Sequence, residues 1–308
     1  MRLSLTLGLA LISSGAFASF ELALIGDSTQ KVIHRYDTET GAYLGSFGRG
    51  TLPGVSAMAI NQTLGQVITY DRTSGWMTRH NYSTGELLAS SSIGVTPGLG
   101  VSIKWNTTTG DLWVASSGGT LLRVDPMNLF TTGVLGFTGT SLVTGGAGTY
   151  AYNATTNRIA SLSYNSSNSV ITATDQSTAV ALTAPGRALS TGSMGFYATI
   201  EATAPPRLRL FSPTTIYGNV KNFSMMTSLI TAAKGHAGSL YGLGVNGATP
   251  VFSRALADDF LTGYDIDTMN ISQVTTPADM VIAVAPEPGT LAALSLGALA
   301  LMRRRKAQ

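Results

Sequence analysis

The chain of 308 residues contains no cysteine. Disulfides, thiolate nucleophiles, iron–sulfur clusters and Cys-ligated zinc are therefore excluded. Charged residues make up only 11% of the chain, too few for long solvated helices, where Glu and Lys dominate. Histidine occurs three times, at His34, His80 and His236. No His-x-x-x-His, Asp-x-Asp-x-Asp-Gly, Gly-x-Ser-x-Gly, P-loop or His-Glu-x-x-His spacing is present, so the sequence assigns no catalytic residue, no metal ligand and no cofactor. What remains is rich in Gly, Ser and Thr, with many short apolar or β-branched runs broken by Gly, Asn, Asp and Thr. That mixture points to an all-β protein.

The two ends differ from the rest. Arg2 supplies a positive start, Leu3 to Ile12 is apolar, and Ala16-Phe17-Ala18 is a small-x-small cleavage site. In that order these parts read as a secretory signal peptide, residues 1–18, forming a signal helix cut after Ala18. At the other end, Pro286-Glu287-Pro288 precedes an uncharged apolar stretch from Gly289 to Met302, followed by Arg303, Arg304, Arg305 and Lys306. As a helix the stretch spans only ~21 Å, short of a ~30 Å hydrocarbon core. The four cations behind it are a stop-transfer signal that stays on the cytoplasmic side. Insertion in the inner membrane, transient or permanent, is expected, with the upstream chain outside.

Pro286-Glu287-Pro288, Gly289-Thr290, the apolar stretch and the Arg cluster resemble a PEP-CTERM sorting domain, taken as residues 285–308. The resemblance implies processing by an exosortase near the Pro-Glu-Pro motif, in addition to signal peptidase at the N-terminus. It also implies export to the cell envelope, the cell surface or the extracellular space of a bacterium, often one that makes extracellular polysaccharide. It implies nothing about the fold or activity of the body.

The body, residues 19–284, suits one large β domain or two smaller ones. The formal net charge of +3 comes from the ends. Setting Arg2 and the four C-terminal cations aside lowers Lys+Arg from 19 to 14 against 16 acids. A body of about −2 makes no case for binding nucleic acid or an anionic membrane.

Two patterns alternate within the body. One ends a β-like run with Asp or Asn: Arg35-Tyr36-Asp37-Thr38-Glu39-Thr40-Gly41, Arg79-His80-Asn81-Tyr82-Ser83-Thr84-Gly85, and Arg123-Val124-Asp125-Pro126. The other is a hairpin centred on Asn61, Asn106 and Asn153. Asn or Asp opens a turn by bonding its side chain to nearby backbone amides, and a Gly or Asn four residues on tolerates positive φ. The shared period of 44–47 residues allows four short strands, the size of a propeller blade. With Asp175, Ser212 and Asp265 as further markers, the count is six blades; seven would need shorter ones. Tyr36-Asp37-x-x-Thr40-Gly41 and Asn106-x-Thr108-x-Gly110-x-Leu112-Trp113-Val114 resemble elements of YVTN- or NHL-like β-propellers. A β-sandwich or β-solenoid is the competing fold. Ser224 to Gly235, with a capping Ser, helical apolar spacing and a terminal Gly, predicts one helix, in which Met225 and Met226 pack.

Each remaining candidate has a plainer reading. His34 and His80 read as surface or strand-end histidines. Asp265 and Asp267, and the adjacent Asp258 and Asp259, are the close acid pairs; a carboxylate pair can serve Ca²⁺ or a glycosidase, but Asp265 coincides with a turn marker. Gly242-x-Gly244-x-x-Gly247 lacks the strand–helix setting of a dinucleotide fingerprint. Trp76, Trp105 and Trp113 suit sugar stacking if exposed and inter-blade packing if not. The expectation is an exported, non-catalytic binding or structural protein with a carbohydrate or surface-protein partner. The alternative is an extracellular hydrolase or lyase with its site at the channel mouth.

Overall fold

The structure is a computed structural model. It describes residues 19–93, 101–116, 118–137, 139–145, 148–153, 155–176, 185–190, 197–201, 203–211, 216–235, 239–256 and 267–286. The signal helix and the C-terminal apolar helix expected above lie outside the described residues.

Strands alternate with Asx and Gly turns, so each strand folds back on its predecessor, and the described residues form six four-stranded antiparallel sheets. Blade 1 contains β1 (Ser19–Asp27), β2 (Val32–Asp37) and β3 (Tyr43–Phe47). Blade 2 contains β4 (Ala57–Asn61), β5 (Gln66–Asp71), β6 (Trp76–Asn81) and β7 (Leu87–Ser92). Blade 3 contains β8 (Val101–Asn106), β9 (Asp111–Ser116), β10 (Thr120–Val124) and β11 (Thr131–Gly136). Blade 4 contains β12 (Gly139–Gly145), β13 (Gly148–Asn153), β14 (Arg158–Asn165) and β15 (Val170–Asp175). Blade 5 contains β16 (Pro185–Ser190), β17 (Tyr197–Glu201), β18 (Arg207–Phe211) and β19 (Ile216–Asn222). Blade 6 contains β20 (Ser228–Lys234), β21 (Ser239–Asn246), β22 (Thr249–Leu256) and β23 (Asp267–Asn270).

The last strand, β24 (Pro277–Pro286), returns to blade 1 and pairs antiparallel with β1 from Ser19 opposite Pro286 to Asp27 opposite Pro277. The innermost strands β4, β8, β12, β16, β20 and β24 neighbour one another in turn, and β24 neighbours β4 again. The ring is closed, and the fold is a six-bladed β-propeller. Closing it this way gives β1 an inner partner and leaves only the short edges that line the centre of the ring.

Period-two alternation sends successive side chains to opposite blade faces. On β24, Val281 and Ala283 pack with Leu22, Leu24, Met58 and Val67 between blades 1 and 2, whereas Met280 and Ile282 pack with Tyr241, Leu243 and Phe252 of blade 6. Full burial of each Met, Val or Ile stabilises by roughly 1.5–3 kcal/mol, so this one strand glues two interfaces.

The repeat markers do the turn chemistry expected of them. Asp37 accepts the amides of Glu39 and Thr40, both at 2.8 Å, and Gly41 follows at φ +70. Asn81 accepts those of Ser83 and Thr84 at 2.9 and 3.0 Å, with Gly85 at φ +80. Asp125 accepts those of Met127 and Asn128. All three close a third strand. Two other markers are out of phase. Asp175 ends the fourth strand of blade 4, and the third-strand position belongs to Asn165, whose side chain accepts the Ser167 amide at 2.9 Å. Asn61 and Asn106 end first strands, but Asn153 ends a second strand. The same side-chain-to-backbone bond suits any tight antiparallel connection, so the motif marks a turn without saying which. Ser212 and Asp265 lie outside the described residues; Phe211, just before Ser212, ends the third strand of blade 5.

The helix predicted over 224–235 is instead a turn followed by β20. The register of β20 against β21 shifts between Leu229 and Thr231. That extra residue puts the buried Leu229 and Ala232 three apart, which in sequence imitates helical spacing. The ring needs an inner strand there, and tertiary pairing overrides local propensity.

Candidate functional site

An inner strand and a third strand of each blade end on the same side of the disc. Bonds across and within blades establish which turns share it. Tyr82 donates its hydroxyl to the Val284 carbonyl at 3.1 Å, Gln62 Nε2 donates to the Ile282 carbonyl at 3.1 Å, and the Thr38 amide donates to the Glu21 carbonyl at 3.2 Å. Tyr241 also donates its hydroxyl to the Glu21 carboxylate; burial, first, and that carboxylate together push the phenol up to about 12. The start of β1 and the exit of β24 are therefore held side by side on this side, here termed the exit end. Ser19 is the first residue after the expected cleavage at Ala18, and Pro286 opens the Pro-Glu-Pro sequence, so the two positions expected to border processing pair with each other.

The opposite end closes the same strand pair through Asp27. Fully buried, it accepts the amides of Thr29 (2.9 Å) and Gln30 (2.8 Å) on one oxygen, and those of Thr275 (2.5 Å) and Thr276 (3.2 Å) on the other. The buried Asp279 accepts the Met58 amide at 2.6 Å and so ties β24 to blade 2. Beside them, between blades 1 and 2, lies a cleft of about 480 Å³ lined by Ser28, Lys31, Ser56, Asp71, Arg72, Thr73 and Thr276 among others. Asp71 is its one carboxylate, and it is occupied by the Thr73 amide and the Ser74 hydroxyl. Among the described residues, the exposed cations Lys31, Arg49, Arg72 and Arg158 lie on turns or strand starts at this opposite end, whereas the exposed acids Glu39 and Glu86 lie at the exit end.

The sequence candidates fall as follows. His34 and His80 are not surface residues: both are buried in strands, 2% and 0% exposed. They stand in different inter-blade layers. His34 Nε2 is 3.7 Å from Asp27, outside hydrogen-bond range, and burial outweighs that carboxylate and lowers its pKa. His80 faces the Thr51 hydroxyl at 3.1 Å and the Phe47 ring, and burial lowers its pKa to about 4. Trp105 and Trp113 are buried packing residues, whereas Trp76 is 42% exposed at the start of β6, on the opposite end next to the turn carrying Arg72 and Thr73. The Gly242–Gly247 segment lies in the β21–β22 hairpin. A Cβ on Gly242 would meet Phe223 at 2.4 Å and one on Gly244 the Ser228 carbonyl at 2.2 Å, so these glycines permit close packing. His236, Asp258, Asp259 and Asp265 lie outside the described residues. Among the described residues, no three His, Asp or Glu side chains gather as a metal site would require.

Residues 284–306 match the PEP-CTERM protein-sorting motif. The match begins two residues before the Pro-Glu-Pro sequence, so the sorting motif and the closure strand overlap. A protein carrying this motif is exported and sorted by an exosortase. The search of curated proteins found no relative. Solved structures share the fold at low identity. A chain of the nidogen/laminin complex is 12% identical at TM-score 0.61, covering 85% of this chain and 98% of its own. A protein of unknown function from Bacteroides caccae is 12% identical at TM-score 0.58, covering 87% and 100%. A putative 6-phosphogluconolactonase from Bacteroides uniformis is 15% identical at TM-score 0.57, covering 86% and 99%. At such identities the likeness concerns the propeller alone.

Sequence reasoning missed the Asp27 latch, Asp279 and the cleft. Asp27-Ser28-Thr29 carries the same Asx-turn signal as Asp37 and was open to the same reading. The partners of Asp27 at Thr275 and Thr276 lie 248 and 249 residues away, and no local signal announces them.

Proposed function

We propose that this chain is a non-catalytic binding or structural component of the bacterial cell surface or extracellular polysaccharide matrix. Signal peptidase cuts after Ala18, the apolar segment 289–302 holds the chain in the inner membrane with Arg303–Lys306 inside, and exosortase acts at Pro286-Glu287-Pro288. The observation that carries this reading is that the closure strand ends at Pro286. The closure strand shares only residues 284–286 with the sorting motif, so a cut at or after Pro286 leaves every blade whole. The cleft at the opposite end supports a carbohydrate partner: hydroxyls of Ser28, Ser56, Thr73 and Thr276 stand beside Lys31 and Arg72, and Trp76 offers an aromatic face nearby.

Two measurements test the proposal. In an exosortase-bearing host, Pro286→Ala combined with Glu287→Ala should leave the tail attached, read as the mass and membrane fraction of the mature protein; unchanged processing overturns the sorting assignment. In a screen of residues 19–286 against extracellular polysaccharides, binding should weaken at least tenfold in Trp76→Ala or in Lys31→Ala with Arg72→Ala. Turnover of the glycan would instead establish the hydrolase or lyase reading.

A further inference from the structure

Ten large apolar side chains are exposed among the described residues, and seven of them gather at the exit end. Tyr43 and Leu44 open the outer strand of blade 1. Leu64 and Leu87 flank turns of blade 2, Met127 and Phe130 belong to the third-strand turn of blade 3, and Val170 opens the outer strand of blade 4. Phe130 is 63% exposed, and Leu64 and Met127 line one groove between blades 2 and 3. Val134 lies mid-strand; Trp76 and Met225 are at the opposite end. Apolar groups of this size gathered on one side mark a contact surface.

Chain length says what covers it. Pro286 is held in the β24–β1 rung at this end, and the uncharged segment begins at Gly289. Three residues span at most about 10 Å. The headgroup layer on each side of a bilayer is about 5–7 Å thick. That reach exceeds the headgroup layer by only about 3–5 Å. An apolar helix of ~21 Å seated on its cytoplasmic cations also stops about 9 Å short of the outer edge of a ~30 Å core, which draws Pro286 down to headgroup level and leaves the exit end no room to stand clear. We propose that, while the tail is inserted, the propeller lies with its exit end flat against the lipid surface, Leu87, Met127, Phe130 and Val170 entering the headgroup region. This rests on the membrane insertion proposed above and adds an orientation to it. The exposed acids at this end, Glu39 and Glu86, make the contact apolar and not charge-driven. The cleft with Lys31 and Arg72 then faces outward.

The absence of cysteine makes the test direct. The full chain after signal removal, residues 19–308, is reconstituted in phosphatidylcholine vesicles carrying a headgroup quencher. Single fluorophores are placed through Leu87→Cys, Phe130→Cys, Val170→Cys, Trp76→Cys and, in the tail, Leu296→Cys. The expected result is quenching at 87, 130 and 170, none at 76, and a bilayer-buried signal at 296. Buried 296 with 87, 130 and 170 as bright as 76 overturns the orientation while leaving membrane insertion standing. A solvent-exposed 296 overturns insertion, and the orientation with it. Shielding of 87, 130 and 170 in native envelopes but not in vesicles assigns the surface to a protein partner and overturns the lipid contact.

Discussion

Two buried side chains show how this chain handles polar groups without disulfides. His80 sits fully buried beside Phe47 with its pKa lowered to about 4 from 6.5. A folded-state value below the unfolded one means that the unfolded chain binds the extra proton first. The stability that depends on neutral His80 is present above pH 6.5 and is lost as pH falls towards 4, by roughly 3 kcal/mol at most. Denaturant melts from pH 7 to 4 should show that loss, and His80→Gln should flatten it. Asp27 works through geometry. It satisfies four amides from two segments at opposite ends of the chain, so Asp27→Ala strands buried donors and should cost at least about 3 kcal/mol. Equilibrium unfolding measures this, and a cost below about 1 kcal/mol would show that the latch is dispensable.

Among the elements, β24 carries the most. Its alternating Met280, Val281, Ile282 and Ala283 serve both faces of blade 1. A chain ending at Thr276 should keep most strand content by far-UV dichroism but lose its cooperative melt and bind hydrophobic dye, because β1 becomes an exposed inner edge. A peptide of residues 277–286 added in trans should restore the melt; a cooperative fold without the peptide would contradict this role. The same element shows where sequence reading stops. The Asx turns at Asp37, Asn81 and Asp125 were legible because a turn is local chemistry. The assignment of β24 to blade 1 was not, since its partner lies about 260 residues earlier in the chain. The strand β20 was misread because one register shift mimicked a helix. The period of 44–47 residues nevertheless yielded six blades, because the repeat length is set by four strands and four turns whichever turn carries the Asp.

Across the whole molecule, the disc has two unlike ends. Among the described residues, one bears the paired Ser19 and Pro286, the exposed acids and most of the exposed apolar side chains; the other bears the exposed cations, Trp76 and the cleft. Neither polarity was visible in a composition that nets to about −2 for the body, because charges of opposite sign cancel in a sum and separate only when the ring places their turns on opposite sides. The site was legible at its edges: Pro286-Glu287-Pro288 stands out in one dimension, whereas the cleft is assembled from residues 28 to 278.

The overlap of latch and address has a consequence for how the cell handles incomplete product. The strand that closes the ring is made last among the blades, and the sorting motif begins inside it. A chain that ends before β24 lacks the address together with the piece that locks the disc. A chain that carries the address carries the lock as well. Sorting therefore acts as a completeness check, written into the order of residues and needing no separate inspector: whatever reaches the exosortase has the means to be a finished propeller.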